Sequence, residues 1–104
     1  MPMDNYEKLE FRLYMGDMDF GLAEASEHRR AYRDAFTYYQ SAKKSYEKAK
    51  ICAIAVKDDA KHSYAKSRIT ICNNKISENM SHYNAVKSDD PGFKQKDDNI
   101  AYTK

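Results

Sequence analysis

A chain of 104 residues with 41% hydrophobic residues and a mean hydropathy of −0.94 is one small domain with a thin core. That length excludes a kinase, a dehydrogenase or a barrel enzyme, and a net charge of +2 by itself implies no partner. The distribution is less bland: residues 1–27 carry two bases and seven acids, residues 28–75 twelve bases and four acids, and residues 76–104 four bases and five acids.

The first residues, Met1-Pro-Met-Asp-Asn-Tyr6, lack the basic and apolar regions of a signal peptide. The longest apolar run, Ile51–Val56, is far short of the roughly 20 residues needed to span a bilayer. Two cysteines without a C-x-x-C spacing read as reduced, packed thiols and not as a disulfide framework. The expectation is a soluble, cytosolic chain with no membrane partner.

Asp4-Asn-Tyr-Glu7 fits a capping box, with Tyr6, Leu9 and Leu13 following at helical spacing. Leu9, Phe11, Leu13 and Met15 also alternate with Glu10, Arg12 and Tyr14, which is strand period. A lone strand has no second strand to pair with, so residues 1–18 read as a short N-terminal helix ended by Gly16. Asp19 then caps the next helix, which explains the kinase-like triplet Asp19-Phe20-Gly21 as coincidence.

Between Gly21 and Pro91 there is no glycine or proline, and the stretch is rich in Ala, Lys, Tyr and Ser, which favours helix. Within it Tyr32/Ala35, Tyr39/Ala42 and Tyr46/Ala49 repeat Tyr-x-x-Ala every seven residues. The register continues through Ala53/Val56, Ala60/Ser63 and Ser67/Thr70, and backwards to Ala25/His28, as an a/d seam of small residues and Tyr. Small side chains let two helix backbones approach closely, while each ring fills space beside its Ala. Tyr39, Ala42, Tyr46, Ala49, Ala53 and Val56 are the expected homodimer seam. Ile51–Val56 is apolar all round a helix and marks the central packing point, covered on every side.

A break in this helix is expected at Asn73-Asn74, at Lys57-Asp58-Asp59, or not before Asp89-Asp90-Pro91. An unbroken helix over 19–72 would be about 80 Å long, a rod that one small chain cannot cover. The fold class is therefore all-α: a helical hairpin or small bundle of long helices, completed by homodimerisation. Residues 1–90 form the single domain, with 19–72 as one long helix or a helix pair, 75–89 as the final helix and 91–104 as a flexible polar tail.

No constellation of side chains points to catalysis, a metal or a cofactor. The histidines lack a second ligand at helical spacing, although His62 and Cys72 could meet across a turn. Cys52 and Cys72 sit among isoleucines, where a thiol packs and does not react. The sequon Asn79-Met-Ser81 carries no weight in a cytosolic helix.

Two surfaces stand out. Arg29, Arg30, Tyr32 and Arg33, widened by Phe36 and Tyr38, bring together the residue types most enriched at interface hot spots. Lys43, Lys44, Lys48, Lys50, Lys57, Lys61, Lys66 and Arg68 form a basic face over residues 43–68, with Lys43, Lys50 and Lys57 in one column. The expected function is non-enzymatic: a protein that binds a larger protein through the Arg/Tyr surface. Its Lys-over-Arg bias and its Asn, Ile and Tyr content fit small phage or mobile-element proteins that block a host protein by contact. The alternative is a dimer that binds nucleic acid, with Lys43, Lys50, Lys57, Lys61 and Arg68 on phosphates.

Overall fold

In a computed structural model of the chain, which describes residues 2–89, three α-helices follow one another: α1 (Asn5–His28), α2 (Tyr32–Ala55) and α3 (Asp59–Asp89). They form an all-helical bundle with no strand among the described residues. The capping box holds α1: the Glu7 amide donates to Asp4 Oδ1 at 2.8 Å and the Asp4 amide donates to Glu7 Oε1 at 3.1 Å. Asp58 caps α3 through the Lys61 amide at 3.0 Å. The expected tail, 91–104, lies outside the described residues.

The turns fall at residues 29–31 and 56–58. Of the three candidate breaks, Lys57-Asp58-Asp59 is the one used, and Asn73-Asn74 lies inside α3. The residues expected as a final helix, 75–89, are the second half of that same helix. The first turn has no glycine, proline or side-chain cap, so sequence pattern had no means of finding it. Both turns close in the same way. The Ala31 amide donates to the Ser26 carbonyl and the Arg30 amide to the Glu27 carbonyl, each at 2.9 Å. At the second turn Asp58 reaches Ala53 at 2.9 Å and Lys57 reaches Ile54 at 3.1 Å. These are the paired bonds of a Schellman motif, with Arg30 (φ 61°) and Lys57 (φ 59°) in the left-handed position usually given to glycine.

Gly16 does not end a helix. α1 runs through both Gly16 and Gly21 to His28, and Asp19 is an interior residue whose carboxylate accepts the Ser41 hydroxyl at 2.7 Å. The chain therefore folds back twice, in helices about 35 to 45 Å long, and never extends into the 80 Å rod.

α2 is the middle helix. It packs along its length against both α1 and α3, whose own backbones come close at only a few residues. Its buried residues are Ala35, Tyr39, Ala42, Tyr46, Ala49 and Ala53, two interleaved columns of seven-residue spacing. The Tyr-x-x-Ala seam is thus real, but α1 and α3 of the same chain cover it. Tyr39, Ala42, Tyr46, Ala49 and Ala53 are at most 1% exposed, so no second copy is needed to bury them, and Val56 is packed against the same core. The register stops at the turn: Ala60, Ser63, Ser67 and Thr70 face solvent, as do Ala25 and His28. On α3 the buried column is instead Ala65, Cys72 and Asn79. Ile51 and Ile54 point outward, so the segment expected to be covered on every side is covered on one.

Candidate functional site

Two carboxylates of α1 organise the interior polar contacts. The Tyr46 and Tyr64 hydroxyls both donate to Asp17 Oδ1, at 2.6 and 2.7 Å. The Tyr39 hydroxyl donates to Glu27 Oε1 at 2.8 Å, and the buried Asn79 amide donates to Glu27 Oε2 at 2.6 Å, with Lys75 Nζ at 3.6 Å from the same oxygen. Burial, and then the hydrogen bond to a carboxylate, pushes the Tyr39, Tyr46 and Tyr64 hydroxyls above the ordinary tyrosine range. For Glu27 burial acts to raise the pKa, but the Asn79 and Tyr39 donors and the Lys75 charge outweigh it and hold the carboxyl below its usual value. Every one of these groups joins α1 to α2 or α3, so the networks fix helix positions.

Arg68 belongs to the same layer. Its guanidinium lies 3.9 Å from the centre of the Phe20 ring and 5.6 Å from that of Tyr64, between α1 and α3. Lys61 is drawn to Asp58 at 3.6 Å and to the Tyr6 ring. Neither stands on one face with Lys43, Lys44 and Lys50. Lys43 and Lys44 instead border an open groove between α2 and α3, with Gln40 and Glu47 beside them and Asn73, Ile76 and Ser77 opposite. Lys57 occupies the left-handed turn. The column of lysines expected to track phosphates is therefore divided among three surroundings.

The Arg/Tyr surface divides too. Tyr32 stacks on His82 (5.1 Å between ring centres), Phe36 meets Tyr83 edge-on at 5.7 Å, and Tyr38 packs on the core. These three aromatics join α2 to the rest of the bundle. Arg29, Arg30 and Arg33 remain exposed around the first turn, and Arg29 also donates to Ser26 Oγ at 3.4 Å. Asn79 of the sequon is 1% exposed and held by Glu27, which removes it from any modifying enzyme. His62 and Cys72 share α3 about 15 Å apart along its axis and do not meet. Burial raises the Cys72 thiol to about 11 and keeps it protonated.

The surface that sequence pattern did not single out is the back of α1. At about 100° per residue, Leu9, Leu13, Gly16, Phe20 and Ala23 share the side that packs inward. Phe11, Tyr14, Met18 and Leu22 fall within an arc of about 80° on the opposite side. They are 41, 63, 41 and 43% exposed. Ala25 continues this stripe, and Arg29, seven residues beyond Leu22, ends it. Met15 flanks it, half-buried. On the edge turned towards α3 stand Glu10, Asp17 and Glu24, seven residues apart and all exposed. The other edge carries Lys8, Arg12 and Asp19, of mixed sign.

The signal for this face was in the sequence as an ambiguity. The alternation of Leu9, Phe11, Leu13 and Met15 that resembles a strand is a helix with two apolar sides: Leu9 and Leu13 turn in, Phe11 and Met15 turn away. No helix among the described residues is long and apolar enough to cross a membrane. No protein-family model, curated protein or solved structure matches the chain.

Proposed function

We propose that this protein acts without catalysing a reaction, by contact with another, larger protein, and that the outer face of α1 makes that contact. The observation that carries the reading is the row Phe11, Tyr14, Met18 and Leu22, exposed on the side of α1 opposite its buried face. In a chain of mean hydropathy −0.94, four large apolar side chains along one helix face are costly to leave in water, and such contiguous patches mark interaction sites. Arg29 and Arg30, from the Arg/Tyr surface, extend the face at its C-terminal end, where their charges can anchor the rim of a contact. The composition supports a place among small phage or mobile-element proteins that block a host protein by covering it. The nucleic-acid reading has no comparable support, since Arg68 and Lys61 are engaged with α1 and Asp58.

A photo-crosslinking side chain at Met18, in cells that make the protein, tests the reading against the same group at Thr70, an exposed position of α3. The expected result is a discrete protein adduct at position 18, none at 70, and loss of the adduct on Leu22→Glu. Equal labelling at both positions, or none at 18, overturns it.

A further inference from the structure

Resting on that reading of α1, we infer that the partner presents an amphipathic helix whose apolar stripe is edged by lysine or arginine, laid along the outer face of α1. The residues of this face recur at seven. Phe11, Met18 and Ala25 form one column and Glu10, Asp17 and Glu24 the column beside it. That is the arrangement in which an apolar seam supplies adhesion while flanking charges select the partner and its orientation. Here the selecting edge is wholly acidic, within a segment that carries seven acids against two bases over residues 1–27. A helix bearing cations on its matching edge gains attraction at Glu10 and Glu24, and one bearing carboxylates is repelled there.

A second copy of this chain does not satisfy the same face. In an antiparallel pair centred near Asp17, Glu10 of one copy lies level with Glu24 of the other, and the two Asp17 carboxylates meet. In a parallel pair the acidic column faces Met15, Leu22 and Arg29 of the other helix, so Glu24 alone meets a cation. The Asp17 carboxylate is drawn towards α2 and α3 by the Tyr46 and Tyr64 hydroxyls, which leaves Glu10 and Glu24 as the carboxylates of this edge that face outward.

Two synthetic 28-residue peptides test this, each with leucine at a and d of four heptads, one with lysine and the other with glutamate at every e and g. Binding to the full chain is read by fluorescence anisotropy. The lysine peptide is expected to bind, weakening at least about tenfold between 50 and 500 mM NaCl as the flanking charges are screened, and the glutamate peptide to show no binding. Met18→Ser is expected to weaken the lysine peptide. Glu10→Lys with Glu24→Lys, both exposed and away from the core, is expected to reverse the preference while helicity is unchanged.

Equal binding of the two peptides, or a charge reversal that leaves the preference as it was, overturns the inference. Sedimentation of the chain as a dimer that Met18→Ser dissociates overturns it in favour of a second copy. If neither peptide binds but the Met18 crosslink joins a protein through a helix without basic edges, this inference falls and the protein-contact reading stands. If no protein is joined at Met18 either, both fall.

Discussion

The Tyr46 ring lies where a side chain on Gly16 would begin: a Cβ there would stand 2.7 Å from Tyr46 Cε1 and 2.8 Å from Cδ1. The ring cannot swing aside, because its hydroxyl is bound to Asp17 at 2.6 Å and the residue is fully buried. The missing side chain is what lets α2 approach α1 at this level.

Gly16→Ala is expected to destabilise the fold by about 1–2 kcal/mol, since overpacking outweighs the gain in helix propensity. Gly21, in the same helix, is exposed with nothing within 4 Å of its would-be Cβ. Gly21→Ala is expected to stabilise by about 0.5–1 kcal/mol. Urea titrations of the two variants should move in opposite directions, and a gain from Gly16→Ala would show that the close approach is not as tight as the Tyr46 contact requires.

Arg30 and Lys57 hold left-handed backbone with a Cβ in the way. Arg30→Gly and Lys57→Gly are each expected to stabilise by about 1 kcal/mol, raising the melting temperature by roughly 4–8 °C. The turns stand at opposite ends of α2, so the two gains should add. A fall in melting temperature for either variant would mean that its side chain contributes more than the backbone conformation costs.

Ala49→Glu places a carboxylate in a fully buried position of the α2 seam. A loss of at least about 3 kcal/mol is expected, with helicity lost at every protein concentration because the seam is closed within one chain. Ala55→Glu, on the exposed side of the same helix, is the control and should leave circular dichroism unchanged. Rescue of Ala49→Glu by raising protein concentration would contradict the intrachain seam.

Stability should fall at both ends of the pH range through one pair. Glu27 has its folded pKa lowered, so its contribution is present above the unfolded value of about 4.3 and is lost as pH falls below it. Tyr39 has its folded pKa raised, so its contribution is present below about 10 and is lost as pH rises beyond that. Tyr46 and Tyr64 add to the alkaline limb. Absorbance at tyrosinate wavelengths should show these three ionising late or only as the chain unfolds, and Glu27→Ala should remove most of the acid limb. Early ionisation of all nine tyrosines would exclude the carboxylate contacts.

Much of the helix chemistry was legible in the sequence. The Asp4–Glu7 box and the seven-residue Tyr-x-x-Ala columns of α2 depend on bonds and spacings within one helix, and local pattern reports those directly, whereas the break at 57–59 was legible only as one of three candidates. The first turn was not legible, because its bonds are backbone bonds and its left-handed residue is an arginine. Nor was Gly16, whose meaning lies in a ring thirty residues away.

By itself, the sequence determined that the chain is helical, that its core is thin and alanine-rich, and which face of α2 must be buried. Only the tertiary structure decided what buries it. Two Schellman turns fold α1 and α3 back over α2, so the seam closes within one chain. With the inner side of α1 spent on that seam, Phe11, Tyr14, Met18 and Leu22 are left facing outward. Periodicity specifies that a surface is apolar, but which apolar surface meets which is set by the turns and by close packing between residues distant in the chain.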